Sequence, residues 1–451
     1  MIVSPHLQTI EQGGYGLCYH SLRGNLFLLE PPYLRLLNKI KKALKGEISQ
    51  TEAKILSELA GAGYIVNEQV DEREFLTARN KAWMKQVVGG GQLRLLNLMI
   101  AEECNFGCKH CLHKCSIQTS SAHGKRKIMD WQTARMAIDA YRNTLRRWAN
   151  MHLNVHFGSA EPLMNWPVLK NSVRYIRSLD DKAQLAVNTN LSLLTVEMAE
   201  FLRDNHVYIS TSLDGPLEGN DAIRIFKNGK GTFGTIVSKF KILAEISYPL
   251  DGFSITVNDL NIDALNSAFI NWAHDEGFRG IACDIDLINT IATHSLDSCI
   301  EKLMELRHAC HENSMENFGT WTTAYDNLVN EPEDDMPTFC KAVKGRNISV
   351  NPSGRVFICG HTNTQLGDLT NFDEIFGENK PYFKLVEGRL PGNDPMCYEC
   401  EMEGVCAGQC QITREVANAA KNSKDILLCN FYRKATRRLL QEKLTAELIG
   451  N

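Results

Sequence analysis

Ten of the fifteen cysteines in this chain of 451 residues fall into two groups, and their spacing constrains the fold more than any other feature. The stretch "CNFGCKHC" places Cys104, Cys108 and Cys111 directly after the apolar run "LRLLNLMI". The second group begins at Cys340 and ends at Cys429. The N-terminus "MIVSPHLQTIEQGGYG" lacks the regions of a signal peptide, so we expect a cytoplasmic protein, whose thiols stay reduced. Clustered thiols in that compartment predict metal or cofactor ligation rather than disulfides.

Charge and hydropathy exclude several classes of protein. A formal net charge of -4 argues against a surface built for nucleic acid or for anionic membranes. No apolar run approaches the roughly 18 residues of a membrane span, so we expect no membrane partner. The length exceeds what one hydrophobic core usually supports and predicts two or three domains.

The first predicted domain covers residues 1–88. Strand-like "YGLCYHSL" and "NLFLLE" flank a turn signal, and two apolar repeats at helical spacing follow, the second after a cap at Ser49. A hairpin with short helices predicts a winged-helix-like unit. A DNA-binding winged helix and a domain that only packs against its neighbours remain the alternatives.

The fold class is predicted as α/β, because strand-like and helical stretches alternate through residues 93–310. Six strands are expected, at "LRLLNLMI", "HLNVHF", "AQLAVNTN", "VYISTSLD", "GFSITVN" and "IACDIDLI". Six such units fit a partial (β/α)6, TIM-like barrel, which places its chemistry on the loops after the strands. Residues 311–451 are predicted to form a bridging region and a cysteine-rich domain that a cofactor stabilises.

Three thiolates in a C-x3-C-x2-C loop can bind three irons of a 4Fe-4S cluster and leave the fourth iron open. A zinc site or free core thiols are the alternatives, although zinc sites usually use two separated ligand pairs. Cys115 lies outside the motif, and we interpret it as a spare thiol.

The loop resembles that of the radical S-adenosylmethionine (SAM) enzymes. The resemblance implies that SAM chelates the open iron through its amino and carboxylate groups, and that its reductive cleavage yields methionine and a 5'-deoxyadenosyl radical. His110 stands where the family usually has an aromatic residue.

Three later stretches resemble the family's SAM-binding loops, although each of their polar residues could instead be a helix cap or a turn former. "GSAEP" departs from the family's Gly-Gly-Glu-Pro at two positions but keeps the glutamate that is expected to accept the SAM amino group. "VNTNLSLLT" resembles the stretch near the ribose, and "SLDGPLEGNDAIR" a pattern of the peptide-modifying branch. The residues that the resemblance implies for the cofactor pocket are Gly158, Ser159, Glu161, Thr189, Asn190, Ser192, Asp214 and Arg224.

The C-terminal cysteines resemble the seven-cysteine SPASM pattern of radical SAM enzymes, which implies two auxiliary 4Fe-4S clusters and three clusters in all. One would be held by Cys397, Cys400, Cys406 and Cys429, and the other by Cys340, Cys359 and Cys410. Many relatives carry an eighth cysteine about six residues before the position of Cys340, where this chain reads "PEDDMPTF". The second of these clusters is therefore expected to have an open iron that could take a substrate thiolate, unless the vacancy is filled by Cys299, Cys310, Asp334 or Asp335.

The N-terminal unit resembles, more weakly, the leader-recognition domain of maturases of ribosomally made peptides (RiPP maturases). Such a maturase would act on a precursor peptide with a leader and take electrons from a flavodoxin- or ferredoxin-type reductant. We predict an intramolecular crosslink, with a thioether as the first choice and a carbon-carbon crosslink or epimerisation as alternatives.

Two other functions would explain part of the sequence. The first is a sulfatase-maturing enzyme or a small-molecule dehydrogenase of the same superfamily, but Gly360 stands where sulfatase-maturing relatives carry an aspartate base. The second, a zinc-rich DNA-binding protein, would not explain "GSAEP". No catalytic residue could be assigned from the sequence.

Overall fold

The computed structural model describes residues 1–42, 49–112, 127–148, 151–286, 294–330, 336–406, 408–420 and 424–450. The strands are β1 Ile2–Val3, β2 Leu7–Gln12, β3 Tyr15–His20, β4 Gly24–Leu29, β5 Ile65–Val66, β6 Leu95–Leu98, β7 Asn154–Phe157, β8 Gln184–Asn188, β9 Val207–Ser210, β10 Gly252–Val257, β11 Gly280–Ile285, β12 Glu316–Phe318, β13 Asn347–Val350, β14 Arg355–Phe357 and β15 Gln365–Asp368. The α-helices are Pro31–Lys41, Gln50–Gly61, Glu74–Val87, Trp131–Trp148, Trp166–Leu179, Val196–Asp204, Leu217–Ile223, Phe233–Glu245, Ser267–Asp275, Leu296–Glu312, Thr323–Val329, Pro381–Gly388, Glu403–Cys406, Gln411–Ala420 and Lys424–Gly450. None of the helices in these ranges is long and apolar enough to cross a bilayer.

The N-terminal unit has the predicted hairpin and helices. Strands β2, β3 and β4 form an antiparallel sheet in that order, and the helices Pro31–Lys41 and Gln50–Gly61 close a small apolar core on it. The second helix begins where its cap was expected: the Ser49 hydroxyl accepts from Glu52 N at 3.2 Å, and Glu52 accepts from Ser49 N at 2.9 Å. This reciprocal capping box satisfies two backbone donors that the first helical turn leaves unpaired.

All six predicted barrel strands are present as β6 to β11, which confirms the α/β class and the partial barrel. Strands β6, β7, β8 and β9 are parallel neighbours, an isolated parallel bridge between Ser212 and Ser254 leads on to β10, and β10 pairs in parallel with β11. Their buried residues are mostly Val, Leu, Ile and Phe, and the helices between them cover the outside. This arrangement leaves the inner face of the sheet to line a cavity.

Two further strands extend the parallel sheet beyond the six that the sequence predicts. Strand β12 pairs with β11 on one side, and β13 pairs with β6 on the other. Strand β13 also begins an antiparallel run with β14 and β15, so the cysteine-rich segment continues the barrel sheet directly. Residues on both sides of position 310 thus share one sheet, while the predicted domain boundaries themselves stay predictions.

The N-terminal unit packs against the cysteine-rich segment. The outer face of its sheet, represented by Leu17 and Tyr19, shares an apolar cluster with Met402 and Val405. The Trp83 indole donates to the carbonyl oxygen of Lys344 at 2.9 Å. These contacts join the two ends of the chain around the barrel.

Candidate active site

A cavity of about 1150 Å³ occupies the inside of the partial barrel. Cys104, Cys108 and Cys111 line it at the carboxyl ends of the strands, and Cys410 lines it from the C-terminal segment. Five of the predicted cofactor residues also line it: Gly158, Ser159, Thr189, Asn190 and Arg224. The structure therefore brings together residues that lie more than 300 positions apart in the sequence.

The three-cysteine loop is fixed by the segment that follows the helix Leu217–Ile223. Gly107 N donates to Ile225 O at 2.7 Å, and the ring of Phe106 meets that of Phe226 edge to face at 4.9 Å. Within the loop, Phe106 N points at the sulfur of Cys104 at 3.4 Å. A backbone donor on a buried sulfur stabilises its thiolate form, which is the form that binds iron.

Asn190, in the stretch "VNTNLSLLT", links that stretch to the three-cysteine loop. Its side-chain amide donates to the Cys104 sulfur at 3.5 Å and to Asn105 Oδ1 at 2.9 Å. Ser192 completes the network, donating to Asn190 Oδ1 at 2.6 Å and accepting from Asn105 at 2.7 Å. Ser192 does not line the cavity itself, so its contribution in this structure is to orient Asn190.

Glu161 is fully buried and does not line the cavity. Its carboxylate accepts from Leu163 N at 2.9 Å, from the Thr189 hydroxyl at 2.6 Å and from Asn190 N at 2.8 Å. Burial raises the pKa of Glu161 even though these donors oppose the shift, and none of the basic side chains in the described ranges forms an ion pair with it. A buried carboxylate without a cation suits a positively charged ligand group nearby, and its role as acceptor of the SAM amino group stays a prediction.

Ser159, in the loop "GSAEP" before Glu161, has a backbone conformation that glycine usually adopts. Ser159 has a φ of 122°, in the region that L-residues rarely enter. In the motif that this loop resembles, the first of the two glycines stands at this position. The cost of such a conformation is on the order of 1–3 kcal/mol.

Asp214 holds Arg224 against the three-cysteine loop. The Arg224 Nε lies 2.6 Å from Asp214 Oδ2, and Asp214 Oδ1 accepts from Thr256 N at 2.8 Å. His110 Nε2 lies 3.4 Å from the Arg224 guanidinium. Burial opposes the charge of Arg224, but Asp214 and the thiol of Cys108 outweigh it and raise its pKa. A fixed cation beside three thiols lowers the cost of their ionisation.

The C-terminal thiols form the two groups that the resemblance implies. Four cysteines line a separate cavity of about 390 Å³: Cys397, Cys400, Cys406 and Cys429. In the other group, the thiols of Cys410 and Cys340 lie close enough to Cys359 to add to the effect of burial, and its pKa rises to about 12. Which cluster each group binds stays a prediction.

The candidates for closing the three-cysteine auxiliary group lie elsewhere or outside the described ranges. Cys310 accepts from Asn317 Nδ2 at 3.8 Å beside Cys283, in the core between β11 and the helix Leu296–Glu312. Cys299 is buried in the same core, and neither thiol is among the described residues that line the two cavities of about 1150 and 390 Å³. Asp334, Asp335 and the spare thiol Cys115 lie outside the described residues.

The donor set fits iron-sulfur clusters. Burial raises the pKa of Cys108 and Cys397 to about 12 and that of Cys410 to about 11, so these thiolates are costly without a bound cation. Backbone N–H groups nevertheless approach several sulfurs, as at Cys400 and Cys410. Thiolates that hold a cubane each bind a different iron, and within the described ranges no three His, Cys, Asp or Glu side chains converge as a single-ion site requires.

Three residues of these sites were missed from the sequence. Asp284 and Tyr432 line the large cavity, and Tyr432 also lines the four-cysteine cavity. The Gln409 amide donates to the Cys429 sulfur at 3.1 Å. The alternation "CDIDLI" predicts that Asp284 shares a face of its strand with Asp286, but no sequence signal indicates that Tyr432 lies between the two cavities.

Comparison with known proteins defines the class. Residues 98–266 match the family model of the Radical SAM superfamily, and this range includes the three-cysteine loop and all eight predicted cofactor residues. Residues 98–266 are therefore a radical SAM domain. It is similar over its whole length to a radical SAM cyclopropyl synthase, TigE of Paramaledivibacter caminithermalis, with 24% identity covering 98% of this chain and 96% of that protein. It is also related to the serine-type anaerobic sulfatase-maturating enzyme of Bacteroides thetaiotaomicron, at 23% identity over 69% of this chain and 80% of the relative.

Solved structures share the fold. Native anSMEcpe with bound AdoMet superposes with a TM-score of 0.60 at 17% identity, covering 77% of this chain and 98% of that one. Streptococcus suis SuiB bound to the precursor peptide SuiA superposes with a TM-score of 0.54 at 11% identity, covering 94% and 97%. At these identities the likeness concerns the fold, and with SuiB it extends over nearly the whole chain.

Proposed function

We propose that this radical SAM enzyme is a maturase of a ribosomally made precursor peptide, in which it forms an intramolecular bond with loss of two hydrogens. The observation that carries the proposal is a cavity lined by both the three-cysteine loop and Cys410, beside a second cavity that holds the four-cysteine group and shares Tyr432 with the first. An opening of about 1150 Å³ exceeds what SAM alone needs. The full-length likeness to TigE and the precursor peptide bound to SuiB support a peptide as the second occupant.

Within this proposal, the residues of the cavity have separate roles. With its cluster and SAM bound, the loop of Cys104, Cys108 and Cys111 would supply a 5'-deoxyadenosyl radical that takes a hydrogen atom from the peptide. Asn190 and Arg224 would orient SAM, because both line the cavity and are themselves held by neighbours. The groups of Cys340 and Cys397 would hold the two auxiliary clusters, which accept the surplus electron.

The N-terminal unit would bind the leader of the precursor. Its three-stranded sheet has two edge strands, β2 and β4, and an extended peptide can add to such an edge through backbone hydrogen bonds. Its sheet packs against Met402 and Val405 of the four-cysteine segment. A cytoplasmic location would keep the cysteines reduced and would give access to a flavodoxin- or ferredoxin-type reductant.

Two bond types are favoured by different observations. A thioether is favoured by the three-cysteine auxiliary group, because neither Cys299 nor Cys310 lies near it and an open iron could hold a substrate thiolate. A carbon-carbon bond is favoured by the full-length likeness to a cyclopropyl synthase. The sulfatase-maturing alternative is weaker, because Gly360 follows Cys359 where that chemistry needs an aspartate.

The test is to incubate the reconstituted enzyme, SAM and dithionite with the precursor encoded nearby, and to measure the product by mass spectrometry. A two-hydrogen loss that falls at least tenfold when the leader is deleted supports the proposal. A cysteine-free product with the same loss supports the carbon-carbon bond and excludes the thioether. Release of 5'-deoxyadenosine with no change in any peptide would overturn the maturase assignment.

A further inference from the structure

Asp284 places a carboxylate in the cavity at the end of β11. One of its oxygens, Oδ1, accepts from both the backbone N and the hydroxyl of Thr320, at 2.6 and 2.7 Å. Within the described ranges its other oxygen, Oδ2, makes no hydrogen bond, and it is not sealed from the cavity. Thr320 therefore fixes the carboxylate in one orientation and leaves one oxygen for a ligand.

The chain makes room for this contact at a glycine. Gly319 lies so close to β11 that a Cβ atom there would stand 1.9 Å from the carbonyl oxygen of Cys283. Only a residue without a side chain lets the backbone N–H of Thr320 reach Asp284. The orientation of the carboxylate is thus built into the backbone.

The other cavity acids are committed elsewhere. Four acidic side chains line the cavity: Glu102, Glu103, Asp284 and Asp286. Glu102 forms an ion pair with Lys127 at 3.8 Å and accepts a hydrogen bond from Asn351. Asp286 is buried and interacts with another group. Glu103 directly precedes Cys104, at the three-cysteine loop. Asp284 combines an orientation fixed by Thr320 with an oxygen that makes no hydrogen bond within the described ranges.

Asp284 lines the same cavity as Cys410, a member of the C-terminal thiol groups. The Tyr432 hydroxyl is close to Thr320, and the charges of Asp284, Cys410 and Cys406 all act on it. Burial raises the pKa of Asp284 above its ordinary value, so the group accepts a proton more readily than a surface aspartate. A proton acceptor and the predicted electron acceptor therefore share one end of the cavity.

The proposed bond formation needs both acceptors. The first substrate hydrogen leaves as an atom, passing from a C–H bond to the deoxyadenosyl carbon. The resulting radical carbon then bonds to a second atom of the peptide, whose own bond to hydrogen breaks. That step releases one proton and one electron, and an oxidised iron-sulfur cluster at the C-terminal cysteines would take the electron.

We propose that Oδ2 of Asp284 accepts the second substrate hydrogen as a proton, and that Thr320 positions it for this step. The inference rests on the proposed function. In this proposal the base is Asp284 of the barrel. In sulfatase-maturing relatives the expected base is an aspartate at the position of Gly360, directly after the C-terminal cysteine. Asp284 would act after hydrogen-atom abstraction and not during it.

The test separates these two steps. For Asp284→Asn we expect at least about a 100-fold loss of the two-hydrogen product, because a positioned general base is worth on the order of 10²–10⁴. Release of 5'-deoxyadenosine should change less than about threefold, since abstraction does not use this group. In D2O with dithionite, the stalled radical should gain one electron and one deuteron, giving a peptide one mass unit heavier. Iron content and SAM binding should equal those of the wild type.

Matched variants keep the outcome interpretable. Thr320→Val removes only the hydroxyl donor and should lower the ratio of product to 5'-deoxyadenosine about tenfold, and Thr320→Ser should restore it. Asp181→Asn, at an exposed surface aspartate, should behave as the wild type. If Asp284→Asn loses iron, the comparison of Thr320→Val with Thr320→Ser tests the role of Asp284 instead.

An unchanged ratio, or a parallel loss of product and 5'-deoxyadenosine, would overturn the role of Asp284. A wild-type enzyme that modifies no peptide would instead overturn the proposed function, and with it the inference.

Discussion

Replacing Arg73 with methionine should loosen the four-cysteine segment from a distance. The Arg73 guanidinium forms a two-pronged ion pair with Glu403, whose side chain is fully buried, while that of Arg73 is 32% exposed. Arg73 also donates to Gly392 O at 3.4 Å and stacks over the Tyr398 ring at 4.4 Å. Glu403 lies between Cys400 and Cys406, so this arginine ties the N-terminal unit to the ligand loop.

The size of the effect follows from burial. Removing one partner of a buried ion pair costs about 3–5 kcal/mol, because the other charge is left without compensation. Since water reaches about a third of Arg73, part of that cost is screened, and we expect Arg73→Met to lower the free energy of unfolding by about 2–3 kcal/mol. The double variant with Glu403→Gln removes the stranded charge and should recover at least about 1 kcal/mol.

Urea unfolding under anaerobic conditions measures the stability, and the rate of iron loss to a chelator measures the state of the loop. Arg203→Met is the matched control, because its guanidinium is 34% exposed but its partner Asp204 is 62% exposed; it should cost less than about 1 kcal/mol. Arg73→Met should speed iron loss several-fold, whereas the control should not. Stability within about 0.5 kcal/mol of the wild type, or no recovery in the double variant, would refute the reasoning.

Three further predictions concern single positions. Ser159→Gly should raise the free energy of unfolding by about 1 kcal/mol, because it removes the strain of a φ of 122°; a loss of stability in urea would contradict this. Gly319→Ala should destabilise by at least about 3 kcal/mol, since its Cβ would overlap a carbonyl oxygen of β11, whereas Gly234→Ala, which meets open space, should change stability by less than about 0.5 kcal/mol. Burial lowers the pKa of His20 below 6.5 even though Glu72 opposes the shift. The unfolded chain therefore binds a proton at this histidine more readily than the folded protein does. The stability that is present above pH 6.5 is consequently lost as the pH falls. Between pH 6.5 and 5.5 the wild type should lose up to about 1.4 kcal/mol more than His20→Gln, measured by urea unfolding, and equal losses would contradict the assignment.

Local signals predicted the elements of the fold well. Ser49 precedes a helix that begins where its side chain caps it. The helix Trp131–Trp148 is capped in the same way, since the Asp130 carboxylate accepts from Thr133 N at 2.7 Å. Burial alternates along the barrel strands, as in Gly252–Val257, because one face packs under the helices and the other faces the cavity. The grouping of the C-terminal thiols was implied by the family resemblance and not by spacing, because Cys410 lies in the sequence between Cys406 and Cys429 of the other group.

Long-range contacts could not be predicted in the same way. The pairing of β13 with β6 joins segments about 250 positions apart. Neither stretch contains a sequence signal that indicates which strand it pairs with. The burial of Glu161 depends on Thr189 and Asn190 closing over it from the next strand. The position of Asp284 depends on Gly319, which reads as an ordinary turn glycine until the distance to β11 is known.

The most direct test of the account is the iron and labile sulfide content per chain after anaerobic reconstitution, measured on the wild type and two cysteine variants. The wild type should hold about twelve irons and release 5'-deoxyadenosine on reduction with SAM, while Cys400→Ser and Cys359→Ser should each hold about eight and together about four. The remaining four belong to Cys104, Cys108 and Cys111, so the doubly substituted enzyme should still cleave SAM. A wild type with about four irons, or variants that lose none, would contradict the three-cluster arrangement on which the maturase assignment depends.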